Sequence, residues 1–162
     1  SETAYGKKVA TSLTEFKVKL DKVATAIATN FVTYGTSKVT VALGAGERLA
    51  LVRDQMETLG KVSATALEQL ANGQKPTERN LAKEKAQVGK VLAVFRKFVG
   101  HAPNFKNAKE DLAWNTMMYR IRFKRDLAKE KVGILKFKAL YKKNPSSPLD
   151  WSAVRAYGYA LK

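Results

Sequence analysis

"WNTMMYRIRFKRDLAKEKVGILKFKALYKK", residues 114–143, holds ten Lys or Arg, two acids (Asp126 and Glu130) and no proline. Its aromatic and aliphatic residues recur at helical spacing, so the pattern predicts one helix. Stepping 100° per residue from Trp114 sorts the side chains into four stripes. Trp114, Met117, Met118, Ile121, Ala128, Val132, Leu135 and Ala139 fall on one side. Tyr119, Phe123, Leu127, Ile134, Phe137 and Tyr141 fall nearly opposite. Between them run two basic stripes, one of Arg120, Lys124, Lys131, Lys138 and Lys142, the other of Arg122, Arg125, Lys129, Lys136 and Lys143.

An ordinary surface helix has one apolar stripe. Two apolar faces require two covers, because each large side chain left in water forgoes about 1.5–3 kcal/mol. Three arrangements meet that need. The helix is central in its own domain; or the Tyr119–Tyr141 face meets another subunit; or its aromatics stack on bases. The alanines of the Trp114–Ala139 face favour that face as the inward one. Arg125 shares the rhythm of that face and is expected to snorkel or to pair at an interface.

Outward from this stretch, the chain reads as all-α, an elongated bundle of four main helices with a short C-terminal one. The first helix covers about 3–33, since Val9, Leu13, Phe16, Leu20, Val23, Ile27, Phe31 and Tyr34 line one face and Gly35 ends it. The second covers 36–72 with a break near 44–46, where Gly44 and Gly46 fall. Within it, Lys38–Val41 alternates like a strand, but no second strand exists to pair with it, and a helical turn capped from Thr36 or Ser37 is preferred. The third covers 77–100 and stops at Gly100; the fourth covers 106–143, where Asn107-Ala108-Lys109-Glu110 resembles a capping box with Asn107 as the cap. Pro145 and Pro148 then break the chain, and Ser147 caps a helix over 148–161. The whole is expected to form one domain, 1–162.

Charge is the strongest global signal. Thirty Lys and Arg against fourteen Asp and Glu give +16. Residues 1–75 contribute +3 and residues 76–162 contribute +13. Such asymmetry points to a polyanionic partner for the second half. A row of cations along a helix can follow a phosphate backbone without reading bases. The residues expected to contact phosphate are Arg120, Arg122, Lys124, Arg125, Lys129, Lys131, Lys136, Lys138, Lys142 and Lys143, with Lys83, Lys85, Lys90, Arg96 and Lys97 as a second tier. Tyr119, Phe123, Leu127, Ile134, Phe137 and Tyr141 are the expected self-association face.

Catalytic motifs do not appear. Gly44-Ala45-Gly46-Glu47 lacks the Gly-Lys-Ser/Thr ending of a phosphate loop and the third glycine of a dinucleotide fingerprint. The single histidine, His101, sits beside Gly100 and Pro103 with no partner for metal or base chemistry. With no cysteine there is neither a disulfide framework nor a thiolate metal site, and no cofactor is called for. No compact helix-turn-helix is visible.

These features lead to an expected function: a non-enzymatic structural protein that self-associates and binds nucleic acid, DNA before RNA, through its backbone, as in genome coating, packaging or compaction. The alternatives are a cationic helical protein acting at anionic membranes and an assembly adaptor for an acidic protein. No apolar run suits a signal peptide or a membrane span. The expected setting is the cytoplasm or the interior of a nucleoprotein particle or virion.

Overall fold

The computed structural model describes residues 20–162, so residues 3–19 of the first predicted helix lie outside the described residues. The described chain is all-helical. Eight α-helices and a terminal π-helical segment make up its regular structure, with no strand among the described residues.

Helix α1 (Lys22–Tyr34) begins at Asp21, whose carboxylate accepts the Ala24 amide at 2.8 Å, and ends at Gly35 with φ of 71°. Helix α2 (Lys38–Leu43) is fixed by a reciprocal capping box between Ser37 and Thr40, which turns a strand-like alternation into a helix. Gly44 separates it from α3 (Ala45–Leu59), as its glycine predicts. The predicted second helix breaks once more. Gly60 takes a left-handed conformation and Ser63 caps a separate α4 (Ala64–Ala71). The buried Gln55 amide clamps that turn: Nε2 donates to the Ser63 carbonyl at 3.1 Å, and the Ser63 amide donates back to Oε1 at 2.7 Å.

Helix α5 (Leu81–Val99) starts four residues later than Pro76–Thr77 implies. Asn80 is the true cap, since its Oδ1 accepts the Lys83 amide while its Nδ2 donates to the Leu59 carbonyl at 2.9 Å. Gly100 closes the helix. Helix α6 (Ala108–Tyr119) is capped by Asn107, but the Glu110 carboxylate accepts the Asn104 amide, so no reciprocal box closes. A non-helical linker at 120–126 leads to α7 (Leu127–Tyr141). Ser147 and Pro148 then open α8 (Pro148–Arg155), which continues into the π-helical segment Ala156–Leu161.

Helix α3 packs against α1, α2 and α4, and through α6 it joins the second half of the molecule. There the π-helical segment lies against α6, α7 and α8. One core runs through both halves, from Phe31, Leu51 and Leu67 to Phe95, Met117, Tyr119 and Phe137. Two glycines set the closest approach. A Cβ on Gly133 would strike the Val154 carbonyl, and one on Gly158 would strike the Lys129 carbonyl. Side chains there would force α7 away from the C-terminal segment.

A buried arginine ties the first half together. Arg48 donates from Nε to the Val32 carbonyl (2.9 Å), from one terminal nitrogen to Thr40 (3.0 Å) and Val41 (3.2 Å), and from the other to Thr33 (3.2 Å). These carbonyls lie in the last turns of α1 and α2, where the helix dipoles favour a cation.

Candidate nucleic-acid interface

The continuous helix predicted over 106–143 is the main correction. It stops at Tyr119 and restarts at Leu127. Arg120 is the hinge, with a left-handed backbone (φ 59°). For a non-glycine residue this costs roughly 1–2 kcal/mol. The contacts that offset the cost are tertiary. The Arg120 guanidinium pairs with Asp54 at 2.8 Å and with Glu57. Burial works against its charge, but the two carboxylates outweigh burial and hold its pKa above the ordinary value. Arg122 pairs with the other Asp54 oxygen at 2.8 Å and with Glu47 at 3.4 Å. Its amide donates to the Leu70 carbonyl at 2.7 Å, and the Ile121 carbonyl between the two arginines accepts Nε of Arg155 at 3.1 Å. Ile121 itself is fully buried. The extended linker is thus held by α3, α4 and α8 together.

Asp126 then starts α7, its carboxylate accepting the Lys129 amide at 3.1 Å. The break rotates the two former halves of the striped face. On α6, Trp114, Met117 and Met118 are buried as preferred. On α7, Ala128, Val132, Leu135 and Ala139 are exposed, while Gly133 and Phe137 are buried and Ile134 is half-buried. The inward face of α7 is therefore the opposite of the one its alanines suggested, because Gly133 gives a closer approach than any alanine can.

The expected phosphate contacts divide accordingly. Arg120 and Arg122 are committed to interior ion pairs, with only 14% of the Arg122 side chain exposed. Lys124, Arg125, Lys129, Lys131, Lys138, Lys142 and Lys143 are exposed. The Arg125 side chain is 77% exposed with only a loose 3.6 Å contact to Glu130, so it neither snorkels nor sits at an interface within the chain. Lys136 is half-buried, its ammonium 5.5 Å from the Tyr157 ring, which Lys162 also approaches at 5.1 Å. Of the second tier on α5, Lys85, Lys90, Arg96 and Lys97 are exposed, and Lys97 lies 5.8 Å from the Tyr141 ring. Lys83 is half-buried beside Gly60.

The expected association face does not exist as a face. Tyr119 is fully buried, its hydroxyl accepting from Nε of Arg79 at 3.2 Å; Phe137 is in the core; and Tyr141 packs on both Phe137 and Phe98. Phe123 stacks flat on Tyr159 at 4.9 Å. Ile134 is half-buried, and Leu127, 67% exposed, is the one member left open to solvent. On the outside of α7 the open apolar side chains are instead Leu127, Val132 and Leu135, with Trp151 on α8.

Charge pairing separates the interior from this surface. Every described carboxylate is used as a cap, a hydrogen-bond acceptor or an ion-pair partner. In α6 and before it, Asp54, Glu57 and Glu47 serve the linker arginines, Glu84 serves Arg79, and Asp111 serves Lys75. From 124 to the end, Asp126 caps α7, the Asp150 carboxylate accepts the Ser147 amide in the capping box of α8, and Glu130 faces Arg125. No described carboxylate forms an ion pair with Lys129, Lys131, Lys136, Lys138 or Lys142.

Among the described residues, no group of three His, Asp or Glu could hold a metal ion. Nor is any described helix long and apolar enough to cross a membrane. Comparison with protein-family models, curated proteins and solved structures yields no match.

Proposed function

We propose that this protein is a non-enzymatic nucleic-acid-binding structural protein whose phosphate-contacting surface is the outside of α7 and its flanks. The carrying observation is the set of exposed lysines on α7 and at its C-cap, Lys129, Lys131, Lys138 and Lys142, with no described carboxylate in ion-pair contact. Concentrated unpaired cations raise the local potential and attract a polyanion. The helix carries flexible lysines rather than bidentate arginines outside, which suits backbone contact over base reading. Lys124, Arg125 and Lys143 extend the surface at its ends, and Lys90, Arg96 and Lys97 extend it along α5. Arg120 and Arg122 drop out of it, because their charges are already neutralised.

Self-association belongs to the same proposal. Leu127, Val132 and Leu135 stand among the lysines, with Leu135 55% exposed. Once phosphates neutralise the lysines, copies aligned on one nucleic acid could bury these side chains against each other. Genome coating or compaction follows from that combination, as does a particle-associated or cytoplasmic setting.

The test is fluorescence anisotropy with two random-sequence duplexes across a salt series. Equal affinity for both, falling linearly on a log–log salt plot, is the expected result. Binding no tighter than that of a neutral control protein at low salt would sink the reading. The exposed leucines also favour a second reading, adsorption to anionic membranes. Flotation with anionic vesicles in the absence of nucleic acid, together with failure to bind duplex, would select it.

A further inference from the structure

A cleft of about 720 Å³ opens between the α2–α3 side of the molecule and α7–α8. Five arginines line it, Arg53, Arg120, Arg122, Arg125 and Arg155, against three acidic residues, Glu47, Asp54 and Glu130. Its lining is therefore net positive. Arg120 and Arg122 share Asp54, and Arg125 faces Glu130. Arg155 differs from these three. It donates to the Ile121 carbonyl at 3.1 Å and to the Ser152 hydroxyl at 3.2 Å, and no described carboxylate comes within ion-pair distance of it. Burial, and then the nearby Arg122, push its pKa down to about 9, while Asp54 and Glu47 act on it only from further away. Arg48, which is buried where Arg155 is half-buried, has four carbonyl acceptors around it. Arg155 has two hydrogen-bond partners and lines the cleft.

An anion in the cleft would complete the coordination of Arg155. The wall says what kind of anion. Trp151 lies one helical turn before Arg155 on the same face of α8, lines the same cleft, and is 41% exposed. An indole in that position offers a flat surface to an aromatic ring. Val154 and Ile134 make the adjoining wall apolar, which suits a base and not a bare inorganic ion.

We propose that this cleft binds a nucleotide unit, with its phosphate on Arg155 and its base against the indole of Trp151. The unit is either a free nucleotide or one residue of a single strand. This site goes beyond the lysine surface of α7 and does not depend on it.

Trp151 fluorescence in the wild-type protein, titrated with adenosine monophosphate, tests the proposal. Saturable quenching is expected, and inorganic phosphate should compete without quenching. Quenching that only rises linearly with concentration, or that persists in Trp151→Phe, overturns it. Arg155→Met should weaken binding at least tenfold. Because that variant removes a buried tie and could fail to fold, Ala42→Phe provides the second check. Ala42 is exposed at the cleft wall, away from the core, and a phenyl group there should block entry. Unchanged binding in a folded Ala42→Phe protein overturns the proposal. In the Lys131→Gln/Lys138→Gln/Lys142→Gln protein, a ten-residue thymidine oligonucleotide that quenches Trp151 at lower concentration than the monophosphate identifies a strand as the source; equal or weaker quenching identifies the free nucleotide. Lys131→Gln/Lys138→Gln/Lys142→Gln should leave the quenching intact, and its loss there would overturn the separateness of the site. Conversely, duplex binding that survives Ala42→Phe while quenching disappears leaves the α7 reading standing on its own.

Discussion

In the linker at 120–126, Arg120 and Arg122 turn toward Asp54, whereas the lysines of α7, a few residues further on, form no ion pair with a described carboxylate. Both regions belong to the most basic stretch of the chain. The linker uses charge as internal structure. Its arginines are fork-shaped and can share one carboxylate, with Glu57 meeting the same terminal nitrogen of Arg120 and Glu47 facing Nε of Arg122. The helix uses charge as surface, and its lysines keep their hydration. A high density of positive charge therefore does not by itself mark a binding face; how each cation is paired decides it.

The largest expected effect breaks the linker side of this comparison. Asp54→Ala leaves two largely buried guanidiniums short of their shared partner. Breaking a buried pair typically costs about 3–5 kcal/mol, and the remaining Glu57 and Glu47 place this case near the lower end. A urea melt should show that loss as a lower midpoint with an unchanged slope. A loss below about 0.5 kcal/mol, the level of an ordinary surface change, would mean that the ion pairs do not hold the linker.

The helix side should respond in binding instead of stability. In Lys131→Gln/Lys138→Gln/Lys142→Gln, the melt should move by no more than about 0.5 kcal/mol. The salt dependence of duplex binding should flatten by about 2.7 in log–log slope, from three phosphate contacts at about 0.9 each. A slope equal to that of the wild type would remove α7 from the interface.

Between the two regions stands Asp126. Its carboxylate caps α7 and fixes where the linker ends. Asp126→Ala should cost about 1 kcal/mol by melt, the usual value of an N-cap. If stability is unchanged, the linker contacts alone set the start of α7.

Much of this architecture can be read from the sequence. Gly35, Gly44 and Gly100 end helices where the chain says they should, and Ser147–Pro148 opens α8. The breaks at 60–63 and 120–126 are harder for different reasons. Gly60 is a local signal set inside a helical pattern that runs on through Leu67 and Leu70. Arg120 gives no local signal, since arginine is a good helix former and its partners lie more than sixty positions away at Asp54 and Glu57. The one nearby clue is Asp126 before Leu127, with Glu130 in the following turn, a respectable helix start hidden inside a longer periodicity. The basic character of the candidate surface was legible; the neutralisation of Arg120 and Arg122 was not, because pairing is a tertiary property. The cleft around Arg155 was invisible for the same reason, as its residues come from three separate stretches of chain, 42–54, 120–134 and 146–159.

A pH titration extends the contrast to α8. Burial alone would raise the Asp150 carboxyl. The amides of Ser146 and Ser147, the Ser147 hydroxyl and Lys143 outweigh burial and hold it below its ordinary value. A depressed carboxyl stabilises the fold above its unfolded pKa of about 4, and that contribution is lost as pH falls through the folded value. Asp150→Asn should therefore show a shallower loss of stability from about pH 5 downward than the wild type. Parallel curves would mean that the cap does not titrate with folding.

The smallest expected effect is the most direct test of position. Arg125 sits in the linker by sequence but on the surface by exposure. If pairing and not location sets the role of each cation, Arg125→Ala should behave like an α7 lysine. Its melt should stay within about 0.5 kcal/mol of the wild type, since a loose exposed pair contributes little. Its duplex-binding salt slope should fall by about 0.9, the value of one phosphate contact. A destabilised Arg125→Ala protein with an unchanged slope would instead place Arg125 with Arg120 and Arg122, and would move the boundary between structural and surface charge to the start of α7.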